Sequence, residues 1–269
     1  MIVSILINIA LQIGYFIVAI YLGGFIISLI NRGFYGLFNN SPAVIYATGF
    51  IGTPIHETSH ALMCLLFAHT IDEIKFFQID DENGVLGYVR HSYNPKNIYA
   101  VIGNYFIGVA PIVMGCGLLC LSMRLLLPSV FVAVGEVGAA LNPGSFSFAL
   151  LGKKADALIA LFFSEIVSWR FWVFLLLNLC IALHMNMSGA DIKGTLGALP
   201  FLLLIFVILN FALGFWKTGY SAFTGFMNGV GVWIGVILML AICFALFYLI
   251  VGLLIKLIVK MLSAMFSKR

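Results

Sequence analysis

Charge is scarce in this chain. Lys, Arg, Asp and Glu make up 9% of its 269 residues, against 63% hydrophobic. That balance excludes an ordinary soluble globular domain and points to an α-helical polytopic membrane protein. No polar stretch is long enough to fold as a separate soluble unit, so a single membrane-embedded domain over residues 1–269 with short loops is expected. The net charge of +4 comes without any patch of interleaved basic and aromatic residues, which speaks against nucleic acid as a partner. In a membrane chain such charge mostly reports topology. Disulfide chemistry is absent too. Cys64, Cys116, Cys120, Cys180 and Cys243 all lie in apolar segments and none forms a CxxC pair, so free, buried thiols are expected. No internal repeat is visible.

Against this background residues 52–64, Gly-Thr-Pro-Ile-His-Glu-Thr-Ser-His-Ala-Leu-Met-Cys, stand out. His56 and His60 are four apart, so on a helix both imidazoles face the same way, one turn apart. That is the spacing of two ligands on one zinc ion. Glu57 then stands where it can take a proton from the attacking water. The flanks Ile45–Phe50 and Ala61–Ala68 are largely apolar, which places the motif inside a membrane span. Two histidines and a carboxylate there cost a few kcal/mol unless they are paired, and so mark a functional site. The competing reading is a set of isolated polar residues hydrogen-bonded between helices.

About six transmembrane helices are expected. The first covers Ile5–Ile30, too long for the core of a signal peptide, and ends at Asn31-Arg32-Gly33. Ser41-Pro42 opens the second, which runs to Ala68 with Pro54 inside. Roughly 20 Å of helix precede His56 and about 12 Å follow His60, a deep site nearer the end of its helix. Ile74–Ile79 and Val85–Arg90 flank an Asn83-Gly84 turn and read as a β-hairpin directly after the HExxH helix. A lone hairpin is marginal in water, so this one packs on the helices. One reading is an ordinary surface loop. The other is an open strand edge that pairs with an unwound substrate through Val85, Leu86, Gly87 and Tyr88. The third span is Ile98–Leu127, with Asn104 and Pro111 inside. Residues 128–168 read as a loop plus an interfacial amphipathic helix. Trp169–Met185, Ser188–Trp216 and Val230–Ile258 complete the set. Ser188-Gly-Ala-Asp191 has the character of a capping box. Basic residues are slightly more numerous on the side of the hairpin and the termini, which favours cytoplasmic termini.

A catalytic zinc usually takes three protein ligands and a water. Asp191 is favoured as the third, because it stands where the chain enters an apolar helix and is the last acidic residue of the sequence. Its alternative role is a helix N-terminal charge. His184 is second choice, or lines the site and meets substrate. Glu136 and Glu165 are more distant candidates. His69, nine residues past His60, is expected to point elsewhere, and His91 to lie at an interface.

The motif Ile55-His-Glu-Thr-Ser-His60, the hairpin after it and an aspartate opening a later span resemble the site-2 protease family of intramembrane zinc metalloproteases. The resemblance covers roughly residues 43–200 in organisation. In that family the second motif is Asn-Pro-Asp-Gly or Leu-Asp-Gly, and its aspartate binds zinc. Here Ala190-Asp191-Ile192-Lys193-Gly194 lacks the proline and displaces the glycine, and no PDZ-like insertion is present. The resemblance implies hydrolysis of peptide bonds in transmembrane or membrane-tethered protein substrates in the lipid bilayer of the cell membrane. One Zn2+ would be held by His56, His60 and Asp191, with Glu57 as general base. Asn104 and His184 are further candidates to contact substrate. Two alternatives remain open: a membrane zinc peptidase like the CAAX-processing metalloproteases, whose third ligand is a glutamate, and a non-catalytic metal transporter or metal-structured scaffold.

Overall fold

The computed structural model describes residues 2–79, 84–140 and 147–266. Helix α1 (Ile2–Ile13) passes through a π-helical turn at Gly14–Val18 into α2 (Ala19–Leu37). α3 (Pro42–Leu66) carries the HExxH motif. Strands β1 (Thr70–Lys75) and β2 (Tyr88–Ser92) follow. Seven further helical elements follow among the described residues: α4 (Ile98–Leu126), α5 (Pro128–Ala140), α6 (Phe148–Ser164), a 3-10 turn, α7 (Trp169–Leu183), α8 (Gly189–Gly214) and α9 (Lys217–Phe266).

Among the described residues, Ile2–Leu37, Ile98–Leu126, Gly189–Gly214 and Lys217–Ser263 are long and apolar enough to cross a bilayer, with mean hydropathies from 2.1 to 3.0. Phe148–Val167 and Trp169–Leu183 meet at 109° and make a fifth span if counted together. The protein is therefore helical and of membrane type, with four or five such spans among the described residues. The expected six had counted α3 and α7 separately. α3 carries His56, Glu57 and His60 and is less apolar than the others, and α7, at 15 residues, is short for a bilayer on its own.

α4 is the central helix and packs against α3, α7 and α8. Ile27, Ile112, Leu119, Met123, Phe171 and Phe174 are fully buried between the helices. Polar side chains tie the helices together, as expected where lipid offers no partner. Gln12 and Asn210 exchange amide hydrogen bonds between α1 and α8, the shorter 2.7 Å. Asn178 of α7 donates to Ser122 of α4 at 3.0 Å. The Tyr21 hydroxyl donates to Thr195 at 2.5 Å, and Tyr105 donates to the Phe16 carbonyl. Asn31, read from sequence as the end of the first span, is buried inside α2 and donates to the Ala182 carbonyl at 2.9 Å. An interhelical bond makes a polar residue tolerable there, and the helix runs on to Leu37.

The hairpin forms, but in another register. Thr70 pairs with Ser92 and Lys75 with Tyr88, with an irregularity between Ile71 and Glu73. The strands thus start earlier than Ile74 and extend past Arg90. Cross-strand chemistry accounts for the choice: Arg90 reaches Glu73 at 3.1 Å, Tyr88 donates to Glu73 at 2.5 Å, and Ser92 donates to Asp72 at 2.9 Å. Residues 84–87 lie outside the ladder, with Gly84 at φ 65°. The remainder of the turn, Asp80–Asn83, lies outside the described residues. Residues 128–168 are more helical than a loop plus one helix. α5 and α6 pack together, joined by a Lys154–Glu136 ion pair of 2.7 Å, while Asn142-Pro143-Gly144 lies outside the described residues.

Candidate metal centre

His56 and His60 stand one turn apart on α3 with ring centroids 4.9 Å apart. Their Nε2 atoms approach to 3.1 Å. Each ring is held from behind by a backbone carbonyl: His56 Nδ1 lies 2.7 Å from the His184 carbonyl oxygen, and His60 Nδ1 lies 2.8 Å from that of Ile107. A carbonyl only accepts, so both Nδ1 atoms carry the proton. In the neutral rings both Nε2 lone pairs are therefore directed at one another, a repulsive arrangement unless a proton or a cation lies between them.

The carbonyls are available for identifiable reasons. Ile107 lies four residues before Pro111, which has no N–H to close the helical bond to it. His184 is the C-cap of α7, where the helix has run out of donors. Close helix approach is also required. A Cβ on Gly52 would collide with the Cys180 carbonyl and the His184 ring, and one on Gly108 would collide with Thr195 and come 2.8 Å from the Asp191 carbonyl oxygen.

Asp191 supplies the third atom. Its Oδ1 is 3.5 Å from His60 Nε2, and its side chain is 14% exposed. Its Oδ2 accepts from the Ser188 N–H at 2.7 Å, while Ser188 Oγ accepts from the Asp191 N–H at 3.1 Å, a complete capping box at the start of α8. The two sequence roles for Asp191 thus fall on different oxygens, one capping the helix and one facing the histidines. Ligand atoms of His56, His60 and Asp191 all lie within 4.8 Å of one another. Two imidazole acceptors held in fixed tautomers and one carboxylate oxygen fit a divalent cation with a position left for water or substrate.

A cavity of about 310 Å³ opens onto this group. Glu57, 6% exposed, lines it together with Asn104, Ile107, Gly108, Ser188 and Gly194. Gly87, Tyr88, Val89 and His91 of the hairpin line it as well. Gly87 lies against α3: a Cβ there would stand 2.7 Å from Thr53 Cγ2 and 2.9 Å from Glu57 Cγ. His91 is held below the usual histidine value by burial, then by the His69 and His60 rings, with Asp72 and Asp191 pulling the other way.

Other sequence candidates sit elsewhere. The His184 ring packs over Gly49 and Gly52 with Nδ1 3.0 Å from the Cys180 carbonyl oxygen, so His184 serves His56 through its backbone. Glu136 is paired with Lys154, and Glu165 opens the 3-10 turn. Val85 and Leu86 do not line the cavity, though Leu86 reaches the region of Gly49. Asn104 does line it, with Nδ2 3.3 Å from the Val101 carbonyl oxygen. Val89, Ile107 and Gly108 were missed from sequence, although Pro111 was a signal for Ile107: a proline inside a span frees the carbonyl four residues earlier. Searches against protein-family models, characterised proteins and solved structures found no match to the chain.

Proposed function

We propose that this protein is an intramembrane zinc metalloprotease of the site-2 type that hydrolyses peptide bonds of membrane-protein substrates. The observation that carries the reading is the convergence of His56 Nε2, His60 Nε2 and Asp191 Oδ1 beside a buried Glu57. One zinc ion would be held by those three residues. The chemistry zinc supplies in such a site is Lewis acidity toward the scissile carbonyl and a lowered pKa for water. A carboxylate oxygen of Glu57 takes the proton of the attacking water and returns it to the nitrogen of the departing amine. The Ile107 and His184 carbonyls keep both histidines in the ligating tautomer.

A helical substrate has its carbonyls hydrogen-bonded and shielded, so it must unwind, and in lipid the freed groups need partners. β2 pairs with β1 on one side and, together with Gly87, lines the cavity. Its other edge is the receptor we assign to the unwound strand. In this reading α3 is itself in the bilayer, shielded by its neighbours, which brings the spans to six. The protein resides in the cell membrane with cytoplasmic termini.

The test is zinc content and cleavage by the full chain in detergent or liposomes. Relative to wild type, His56→Ala and Asp191→Ala should each lose about one equivalent of zinc. Glu57→Gln should keep the metal and lose cleavage of a membrane-tethered substrate by 10²-fold or more, roughly the contribution of a general base. Full function of Glu57→Gln would point to a metal carrier or scaffold. Zinc content unchanged from wild type in Asp191→Ala would point to a glutamate ligand, as in the CAAX-type peptidases.

A further inference from the structure

A second group of ligating side chains lies at the C-terminal end of α3, beginning one turn past His60. Cys64, His69 and His91 bring one ligand atom each within 4.8 Å of the others. None of them belongs to the HExxH group. Cys64 is wholly buried and His69 is 4% exposed.

The backbone builds this cluster. α3 ends at Leu66, and Ala68 takes the left-handed conformation with φ 58°. The His69 N–H then returns to the Cys64 carbonyl at 2.8 Å. This is the long bond of a Schellman motif, which sets the residue after the turn above the one at its base. In most such motifs that contact is between two apolar side chains. Here it joins an imidazole and a thiol. Leaving Gly103 without a Cβ makes room, since one there would strike Phe67 and stand 3.2 Å from His69 Nε2.

His69 is also fixed in tautomer. Its Nε2 lies 2.8 Å from the Ala100 carbonyl oxygen and so carries the proton. Its Nδ1 is then an acceptor turned into the cluster, 2.9 Å from His91 Nδ1. Tyr93 stacks on the His69 ring with centroids 4.7 Å apart and holds its plane. His91 comes from β2, opposite Ile71. The group therefore joins the end of α3, the helix α4 and the second hairpin strand.

We propose that Cys64, His69 and His91 form a second metal site, for a borderline-to-soft cation such as zinc, which clasps the hairpin to the end of the HExxH helix. One sulfur and two nitrogens suit such a cation. Binding requires the thiolate, so the Cys64 proton is released to solvent as the metal enters. His91 lines the same cavity as Glu57, so the clasp fixes the strand that borders that cavity. The two sites share no ligand.

The experiment is metal titration of the purified full chain with zinc and, in parallel, with cobalt, whose bond to a thiolate gives a charge-transfer band that imidazole and carboxylate ligands do not. Wild type should bind two equivalents and show the band. His56→Ala should bind one and keep the band. Cys64→Ser should bind one and lose it. Because Cys64 is wholly buried, His91→Ala on the hairpin gives a second handle: it should weaken cobalt binding at least tenfold as read from the same band. A single equivalent in wild type that survives in Cys64→Ser, with no band, would overturn this site and leave the HExxH site standing. A single equivalent lost in Cys64→Ser but kept in His56→Ala would uphold this site and overturn the other. An unchanged band affinity in His91→Ala would remove the clasp.

Discussion

At the residue scale the HExxH group depends on atoms that do not touch the proposed metal. Asp191 illustrates this. One carboxylate oxygen caps α8 and the other faces His60, so the cap also aims the proposed ligand. Ser188→Ala removes one half of that box. It should cost about 1 kcal/mol of stability, typical of a lost N-cap. It should also lower zinc affinity roughly tenfold, at the mild end of what loss of an orienting partner costs. Competition with a chelator and thermal unfolding of the same sample measure the two effects. An unchanged affinity would mean that His60 and the α8 backbone alone position the carboxylate. Gly87 is a stricter case. A methyl group there would press on Glu57 and Thr53, so Gly87→Ala should cut cleavage well before it affects zinc content. The HExxH residues and the Ser188–Asp191 pair were legible in the sequence because helical spacing alone brings their partners within reach. His69 with His91 was not, because one residue follows a left-handed turn and the other sits on a strand whose register was still unknown.

At the scale of single elements, helices announced themselves by long apolar runs, while their limits depended on tertiary partners. Asn31 reads as a stop, yet it sits inside α2 because Ala182 offers its carbonyl. The hairpin was visible from its Asn-Gly turn, but its ladder was set by Glu73, Arg90, Tyr88 and the His69–His91 contact, all side-chain pairings that strand propensity does not encode. Pro111 is the clearest instance of an element shaped for the site. Within α4 it gives up a backbone hydrogen bond, and the carbonyl released at Ile107 is the one that orients His60. Pro111→Ala restores an N–H that competes for that carbonyl. The helix should be unharmed or slightly firmer, since proline is the poorest interior helix residue. Zinc affinity should nevertheless fall about 10- to 100-fold, the range for lost partners of a ligating histidine. Isothermal titration of apo protein checks it, with circular dichroism recording helix content. Equal affinity with unchanged helicity would show that Ile107 serves both donors at once.

For the whole molecule the question is what holds α8, and hence Asp191, against the helix that bears the histidines. α8 is tied at two heights. Near its start, Thr195, one turn after Asp191, accepts from Tyr21 of α2. Much farther along, Asn210 exchanges amide bonds with Gln12 of α1. Both are interhelical, the first part-buried and the second buried, and each is worth about 0.6 kcal/mol, up to 1.7, in a membrane protein. Their consequences for the site should differ. Gln12→Leu leaves the Asn210 amide with fewer partners far from the ligands, so it should lower the unfolding temperature in detergent and leave zinc affinity within about twofold, because distant sites behave additively. Pairing it with Asn210→Leu should cost less than the sum of the single changes, since replacing both partners by apolar groups leaves neither amide unpaired and only the Tyr220 hydroxyl loses an acceptor. Tyr21→Phe removes only a hydroxyl, yet it frees the turn that carries Asp191. It should have a small effect on unfolding and a several-fold effect on zinc affinity. If both pairs shifted affinity and stability in proportion, α8 would act as one rigid rod and the site would depend on the bundle as a whole. If only Tyr21→Phe moved affinity, the first turns of α8 would be a separately seated platform for the proposed third ligand, set against α4 through Gly108 and against α2 through the Tyr21 hydroxyl.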